Sequence, residues 1–169
     1  MKKIFSTAIL ACAIGLNALA LSGCLQAARA PLQSAELDEL AKQFQPDPDY
    51  ATVYLYRNKQ TLASVHHVPV NMNDETVGQL TNESYLMLRV SPGDYLITAV
   101  KTPFVVAENI YPIRIEIDRN KIAYIQLFLD NPFRFELIDA DQAQKDIKKR
   151  KLSRAYPSGV VIETPIKVQ

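Results

Sequence analysis

Few residues in this chain carry side chains suited to acid–base or covalent chemistry, and their spacing does not favour catalysis. There are two cysteines and two histidines in 169 residues. The histidines, His66 and His67, are adjacent. Neighbours in a strand point to opposite faces, so the two do not readily share one metal ion. No further histidine stands three or four residues away to complete a helical zinc motif. A serine nucleophile elbow needs flanking glycines, and beyond Gly23 the chain holds only Gly78, Gly93 and Gly159, each in a turn-like setting. The same scarcity removes a glycine-rich phosphate loop. Asp74 with Glu75, and Asp139 with Asp141, are the carboxylate pairs that could trade a proton. A turn explains the first pair and a helix start the second, since acids are favoured at both without catalysis. The expectation is a protein that is not an enzyme and carries no metal and no cofactor. Cys24 remains, and what surrounds it is more telling than its reactivity.

Lys2 and Lys3 open the chain, and residues 4–20 form an apolar run broken only by Ser6, Thr7, Gly15 and Asn17. A basic start followed by an apolar stretch and small residues is the layout of a secretory signal. A membrane-spanning helix competes, because about 20 apolar residues cross a bilayer. The run is slightly short for that, and the next charge after Cys24 is the single Arg29. Leu21-Ser22-Gly23-Cys24 resembles the lipobox of bacterial prolipoproteins: a branched apolar residue, two small ones, then cysteine. The resemblance implies cleavage before Cys24, a diacylglyceryl group on its thiol and acylation of the new N-terminus. Small residues let an extended backbone into a peptidase site, and a thiolate is the nucleophile able to be alkylated there. Two or three acyl chains hold a protein to a bilayer effectively permanently, each buried methylene contributing about 0.8 kcal/mol. Leu25, rather than Asp, follows the cysteine; by resemblance to the sorting rules of two-membrane bacteria, that implies the outer membrane.

Removing residues 1–23 from 169 leaves 146, enough for one domain with a substantial core. Nineteen basic residues face eighteen acidic ones, for a formal charge of +1 that becomes −1 once Lys2 and Lys3 are lost. A near-neutral chain gives no support for nucleic acid as a partner. Cys12 leaves with the signal and Cys24 is acylated, so the mature domain is expected to have neither a disulfide nor a Cys-based metal site. The organisation expected is a signal over 1–23, a lipidated tether with a short helix over 24–49, and a domain over 50–169.

Within the tether, residues 34–44 read as a helix. Ser34 suits an N-cap, Leu37, Leu40, Ala41 and Phe44 recur at helical spacing, and Asp38 precedes Lys42 by four. Pro46 and Pro48 then end it. From Ala51 the period becomes two. Val53 and Leu55 share one face of residues 51–57, with Thr52, Tyr54 and Tyr56 on the other. Val68, Val70 and Met72 mark the next strand, Asn73-Asp74-Glu75 a turn, and residues 76–80 its return. Thr81-Asn82-Glu83 is a second turn, before residues 84–90. Ser91-Pro92-Gly93-Asp94 has the composition of a type II turn, predicting that residues 94–101 fold back antiparallel. Ile113, Ile115 and Ile117 alternate with Arg114 and Glu116 as a half-buried strand. Residues 122–129 are apolar on both faces, hence central, and Phe133, Phe135 and Leu137 mark a further strand. Asp139 with Gln142 three residues on predicts a capping box opening a helix that runs to about residue 151. A Pro157-Ser158-Gly159 turn leads to a last short strand, residues 160–162, placed to cover a sheet edge. Taken together this is a mainly β chain: a single antiparallel sandwich of about eight strands with one short N-terminal and one C-terminal helix.

The strand Ala51-Thr52-Val53-Tyr54-Leu55-Tyr56-Arg57, together with Val68-Pro69-Val70, Val77-Gly78-Gln79-Leu80, Ser84-Tyr85 and Val90-Ser91-Pro92-Gly93, resembles a family of small bacterial lipoproteins built on a domain of unknown function. The resemblance covers roughly residues 51–147 and implies a β-sandwich of prealbumin or immunoglobulin-like type. It brings no catalytic residues. Family turns usually carry Asp-Gly or Asn-Gly, whereas this chain has Asn73-Asp74 and Asn82-Glu83; Asn and Asp tolerate positive φ, so the first hairpin is expected to survive.

Two surfaces are candidates for binding. Tyr54 and Tyr56, with Tyr85 and Tyr95 near them in the pattern, would form an outward face that stacks on a cell-wall glycan or peptide, although aromatics are also enriched in strands for packing alone. Lys145, Lys148, Lys149, Arg150, Lys151 and Arg154 place six cations within ten positions, against the single acid Asp146. Such a cluster would orient the domain on anionic lipid, each charge near the surface contributing about 1 kcal/mol. Residues at a helix end also carry basic charge simply because the dipole favours it. The functional expectation is a lipid-anchored, non-enzymatic envelope protein facing the periplasm. Its partners would be membrane lipid through Cys24 and another envelope protein or cell-wall component, with a glycan- or peptide-binding domain second and a hydrolase a distant third.

Overall fold

The computed structural model describes residues 32–61, 67–100, 110–130, 132–156 and 161–162. Leu21, Ser22, Gly23, Cys24, His66 and the Pro157-Ser158-Gly159 turn lie outside them. Among the described residues eleven strands form two sheets, and eight of the strands are five residues or longer.

The four-stranded sheet has the order β3-β2-β5-β7, from β2 (Val68–Met72), β3 (Glu75–Leu80), β5 (Gly93–Ala99) and β7 (Ile113–Ile117). The larger sheet runs β10-β4-β1-β8-β9-β6, with β11 also on β4. Its members are β1 (Ala51–Tyr56), β4 (Ser84–Val90), β6 (Ile110–Tyr111), β8 (Ile122–Phe128), β9 (Phe133–Leu137), β10 (Lys151–Leu152) and β11 (Val161–Ile162). Between the sheets lies a core that includes Val53 and Leu55 of β1, Leu86 and Leu88 of β4, Val70, Ile97, Ile115 and Ile125. Alternation of period two supplies one side chain in two to this layer.

The β2–β3 hairpin forms as its turn chemistry requires. Asn73 (φ 49°) and Asp74 (φ 68°) both take positive φ, the condition for a tight hairpin whose twist matches its strands. Asn73 Oδ1 also accepts the Leu96 N–H at 2.8 Å, tying the turn to β5.

Two other turns are not hairpins. Residues 81–83 carry the chain from β3 in the smaller sheet to β4 in the larger, and Ser91-Pro92 carries it back to β5, which pairs with β2 and β7 rather than folding onto β4. One side of β4 is already taken by β1 and the other by β10 and β11, so β5 has no free edge to join. The Tyr95 hydroxyl donates to Ser91 O at 2.6 Å and braces this second crossing.

The larger sheet is also mixed rather than purely antiparallel. β1 pairs antiparallel with β4 (Val53 opposite Leu88) but parallel with β8 (Tyr54 opposite Tyr124). β6, β10 and β11 add further parallel pairings. β11 lies on the β4 edge, the covering role expected of the last strand.

Two short helices, α1 (Ala35–Ala41) and α2 (Ala140–Ile147), lie on the outer face of the larger sheet. Ser34 caps α1, its hydroxyl accepting the Leu37 N–H, and Asp38 meets Lys42 at 2.7 Å. Asp139 caps α2 by accepting the Asp141 N–H at 2.9 Å. The expected capping box does not close: Gln142 turns forward to Asp146 Oδ2 (3.0 Å) instead of back to Asp139. α2 also stops at Ile147, earlier than expected, because the chain turns there to deliver Lys151 and Leu152 to the β4 edge.

Candidate functional site

The outer face of the larger sheet is where the aromatic residues gather. Tyr54 and Tyr56 from β1, Tyr85 from β4 and Tyr124 from β8 form a second core, closed by Ala41 and Phe44 at the end of α1, by Ala143 and Ile147 of α2, and by Leu152. Tyr54 packs nearly parallel to Tyr124 (centroids 5.3 Å apart, 21° between planes) and to Tyr85 (6.1 Å, 29°). The Phe44 ring meets Tyr54 at 5.4 Å and 57°. Such offset pairs contribute about 0.5–1.5 kcal/mol beyond the area they bury.

This overturns the expected open Tyr54/Tyr56 binding face. Tyr54 is 1% exposed and Tyr56 is 0% exposed, so neither ring is available to stack on a glycan or peptide. The two helices, which the alternation pattern alone did not place, cover them. Tyr95 lies on the other side of the larger sheet, in the inter-sheet core.

The polar ends of the rings are used structurally. The Tyr54 hydroxyl donates to Ala41 O at 2.6 Å, at the C-terminal end of α1, where the same carbonyl also accepts the Phe44 N–H at 3.3 Å. The Tyr85 hydroxyl donates to Asp38 Oδ1 at 2.7 Å. The same oxygen accepts the Leu152 N–H at 3.0 Å, while Lys42 Nζ holds Oδ2 at 2.7 Å. Burial pushes the Asp38 carboxyl up, but the donors from Lys42, Tyr85 and Leu152 outweigh it and hold the group below its ordinary 3.8. Burial first, then the Asp38 carboxylate, raise the Tyr85 hydroxyl, and burial raises Tyr54, so both stay protonated near neutral pH. Tyr124 accepts from Gln144 of α2 at 2.9 Å. Tyr56 differs, because its buried hydroxyl has no hydrogen-bond partner among the described residues. The hydroxyls of Tyr54, Tyr85 and Tyr124 thus hold the two helices to the sheet.

The basic cluster is divided by the fold. Lys145, Lys148, Lys149, Lys151 and Arg154 are exposed. Arg150 is not: it is 8% exposed and its guanidinium donates to Asn58 Oδ1 at 2.7 Å, which removes it from the expected outward patch. The chain reverses after α2, with the Arg150 N–H bonded to Ile147 O, and turns this one side chain inward. Arg57, which ends the opening strand motif, is buried as well, and desolvation pulls it down to about 10, still cationic at neutral pH.

A groove of about 850 Å³ runs between α1 and the β4–β10 edge. Its apolar lining includes Leu37 and Leu40 of α1, 47% and 54% exposed, together with Met87 and Ala155, and the guanidinium-bearing Arg89 and Arg154 stand on it too. Only part of the α1 stripe therefore packs on the domain: Ala41 and Phe44 do, Leu37 and Leu40 do not. Arg89 is engaged with Asp47 at 2.6 Å and sits 4.6 Å over the Tyr50 ring. A smaller hollow of about 380 Å³ beside it is lined by Leu32, Glu83, Lys149 and Lys151.

Among the described residues no three His, Cys, Asp or Glu side chains gather as metal ligands, and no helix is long and apolar enough to cross a membrane. His67 is half-buried at the threshold of β2. The carboxylates of Asp74 and Glu75 sit in and after the β2–β3 turn, those of Asp139 and Asp141 at the start of α2.

These features define a mainly β, helix-backed sandwich with a groove beside a basic edge. The chain belongs to the family described as protein of unknown function (DUF2846), whose pattern matches residues 47–137. No curated protein matches it.

Proposed function

We propose that this is a lipid-anchored protein of a bacterial cell envelope, held by an acylated Cys24 in the outer membrane, with its sandwich facing the periplasm as a non-enzymatic interaction or structural module. The observation that carries the reading is the sequence of the first 24 residues: two lysines, an apolar run, then Leu21-Ser22-Gly23-Cys24. The position of α1 supports it. Gln33 N–H bonds to Leu152 O at 2.9 Å and Leu32 bridges Ser153, so the chain is fastened to the domain eight residues after Cys24. At no more than about 3.6 Å per residue, an anchor at Cys24 keeps the β10 edge within about 29 Å of the lipid.

The test is the intact mass of protein purified from membranes. A mature N-terminus beginning at Cys24 with a diacylglyceryl adduct is expected, and Cys24→Ser should leave the export signal uncut. Mature protein in detergent-free extract with residue 24 unmodified overturns the reading.

A further inference from the structure

We propose that the groove between α1 and the β4–β10 edge takes an acyl chain of an anionic membrane phospholipid, with the phosphate at Arg154. The inference rests on the anchored reading above and adds a second, non-covalent lipid contact to it.

The groove is of small-molecule size at about 850 Å³, within the roughly 300–1,000 Å³ of ligand sites. Its walls are of the right chemistry. Leu37 and Leu40 leave about half of their surface to solvent on the same helix whose Ala41 is buried. Two adjacent exposed leucines facing Met87 across a cleft form an apolar trough that water fills poorly. No carboxylate lines it among the described residues, whereas Arg89 and Arg154 both do. Arg89 is committed to Asp47 and Tyr50. Arg154 is exposed, with no ion-pair partner among the described residues, and a guanidinium is the side chain best matched to phosphate.

Position selects lipid over other apolar ligands. Leu32 lines the adjoining hollow with Lys149 and Lys151, and Gln33 lines the groove itself. The tether therefore joins the domain between the open trough and a hollow that carries two exposed lysines beside Glu83. An anchor at most about 29 Å away keeps that side within reach of the bilayer, where cations gain from anionic headgroups and each methylene buried in the trough gains about 0.8 kcal/mol.

The experiment uses full-length protein purified from membranes and reconstituted in phosphatidylglycerol–phosphatidylethanolamine vesicles. The phosphatidylglycerol carries a diazirine near the end of one acyl chain, and labelled peptides are mapped by mass spectrometry. Labelling of Leu37, Leu40 or Met87 is expected. It should fall at least fivefold in Leu40→Glu and in Arg154→Glu, whose surface positions leave folding intact, as the thermal midpoint would verify. Label confined to other surfaces, or undiminished by both substitutions, overturns the proposal. So does groove labelling that appears only in Cys24→Ser protein, because the trough then holds the protein's own acyl chains. The intact mass of the same preparation reads the anchor separately: modified Cys24 with an unlabelled groove removes this inference alone, and a labelled groove with unmodified Cys24 removes the anchor alone.

Discussion

The Tyr85 hydroxyl lies 2.7 Å from Asp38 Oδ1, a bond between the outer face of the larger sheet and a helix residue 47 positions earlier. Asp38 is the point through which α1, β4 and β10 are tied together, since it also accepts from Lys42 and from the Leu152 backbone. α1 has only seven residues, too few to persist alone in water. Its helicity is therefore supplied by the sheet beneath it.

Replacing Asp38 with Ala removes the acceptor of the Leu152 N–H and leaves the buried Tyr85 hydroxyl only the main-chain oxygen of residue 38, at 3.3 Å. The expected loss of unfolding free energy is about 2 kcal/mol, read by urea titration at pH 7. Asp38→Asn keeps an oxygen but not the charge and should lose about half as much. The difference between wild type and Asp38→Asn should depend on pH. The folded pKa lies below the ordinary 3.8, so the carboxylate's contribution is complete above about pH 4 and disappears as pH falls through the folded value. Curves measured from pH 7 to 2 should converge at the acid end; a constant gap would show that the charge is irrelevant.

Tyr54 and Tyr56 are two residues apart on one strand face, yet their hydroxyls should respond in opposite ways to removal. Tyr54→Phe deprives Ala41 O of the shorter of its two donors, leaving the Phe44 N–H at 3.3 Å, and should destabilise by about 1 kcal/mol. Tyr56→Phe removes a buried hydroxyl that lacks a partner among the described residues and should be neutral or slightly stabilising. Paired denaturation curves decide it.

The family match begins at residue 47, beyond the end of α1. A protein beginning at residue 46 would nevertheless lose Ala41 and Phe44 from the second core and uncover Tyr54. Loss of at least about 3 kcal/mol is expected, the scale of deleting a buried phenylalanine, with increased binding of a hydrophobic dye. Unchanged stability would mean that α1 merely rests on the sheet.

Gly78 has φ +156°, and an added Cβ would stand 2.8 Å from Leu86 Cδ2 in the inter-sheet core. Gly78→Ala should therefore destabilise by about 1–3 kcal/mol through overpacking. Adding Leu86→Val should recover part of that loss, which a backbone effect alone would not allow.

The eight longer strands were legible in the sequence because their alternation is set by the pleat, and the Asn73-Asp74 turn because its positive φ has a chemical signature; β6 and β10, two residues each, have no alternation to read. What joins which neighbour was less so. The segments around Asn82 and Pro92 have turn composition, but the same local chemistry serves a hairpin or a crossing between sheets. Only the occupancy of both β4 edges decides, and that depends on residues far along the chain. The two-sided apolar pattern that marked residues 122–129 as central is present in residues 51–56 too, where all six are buried. Read by the same rule, it would have placed Tyr54 and Tyr56 indoors. Arg150 could not be separated from its lysine neighbours by composition; its inward turn follows from the short reach between Ile147 and β10.

The parallel pairing of β1 with β8 sets Thr52 beside Ile122, seventy positions later. A chain built from its N-terminus therefore holds its earliest strand without one of its two flanks until nearly three-quarters of the polypeptide exists. Such distant closure is slow. The inter-sheet core, which takes Ile125 and Leu127 from β8, stays open on that flank until then, and the second core waits longer still for Ala143, Ile147 and Leu152.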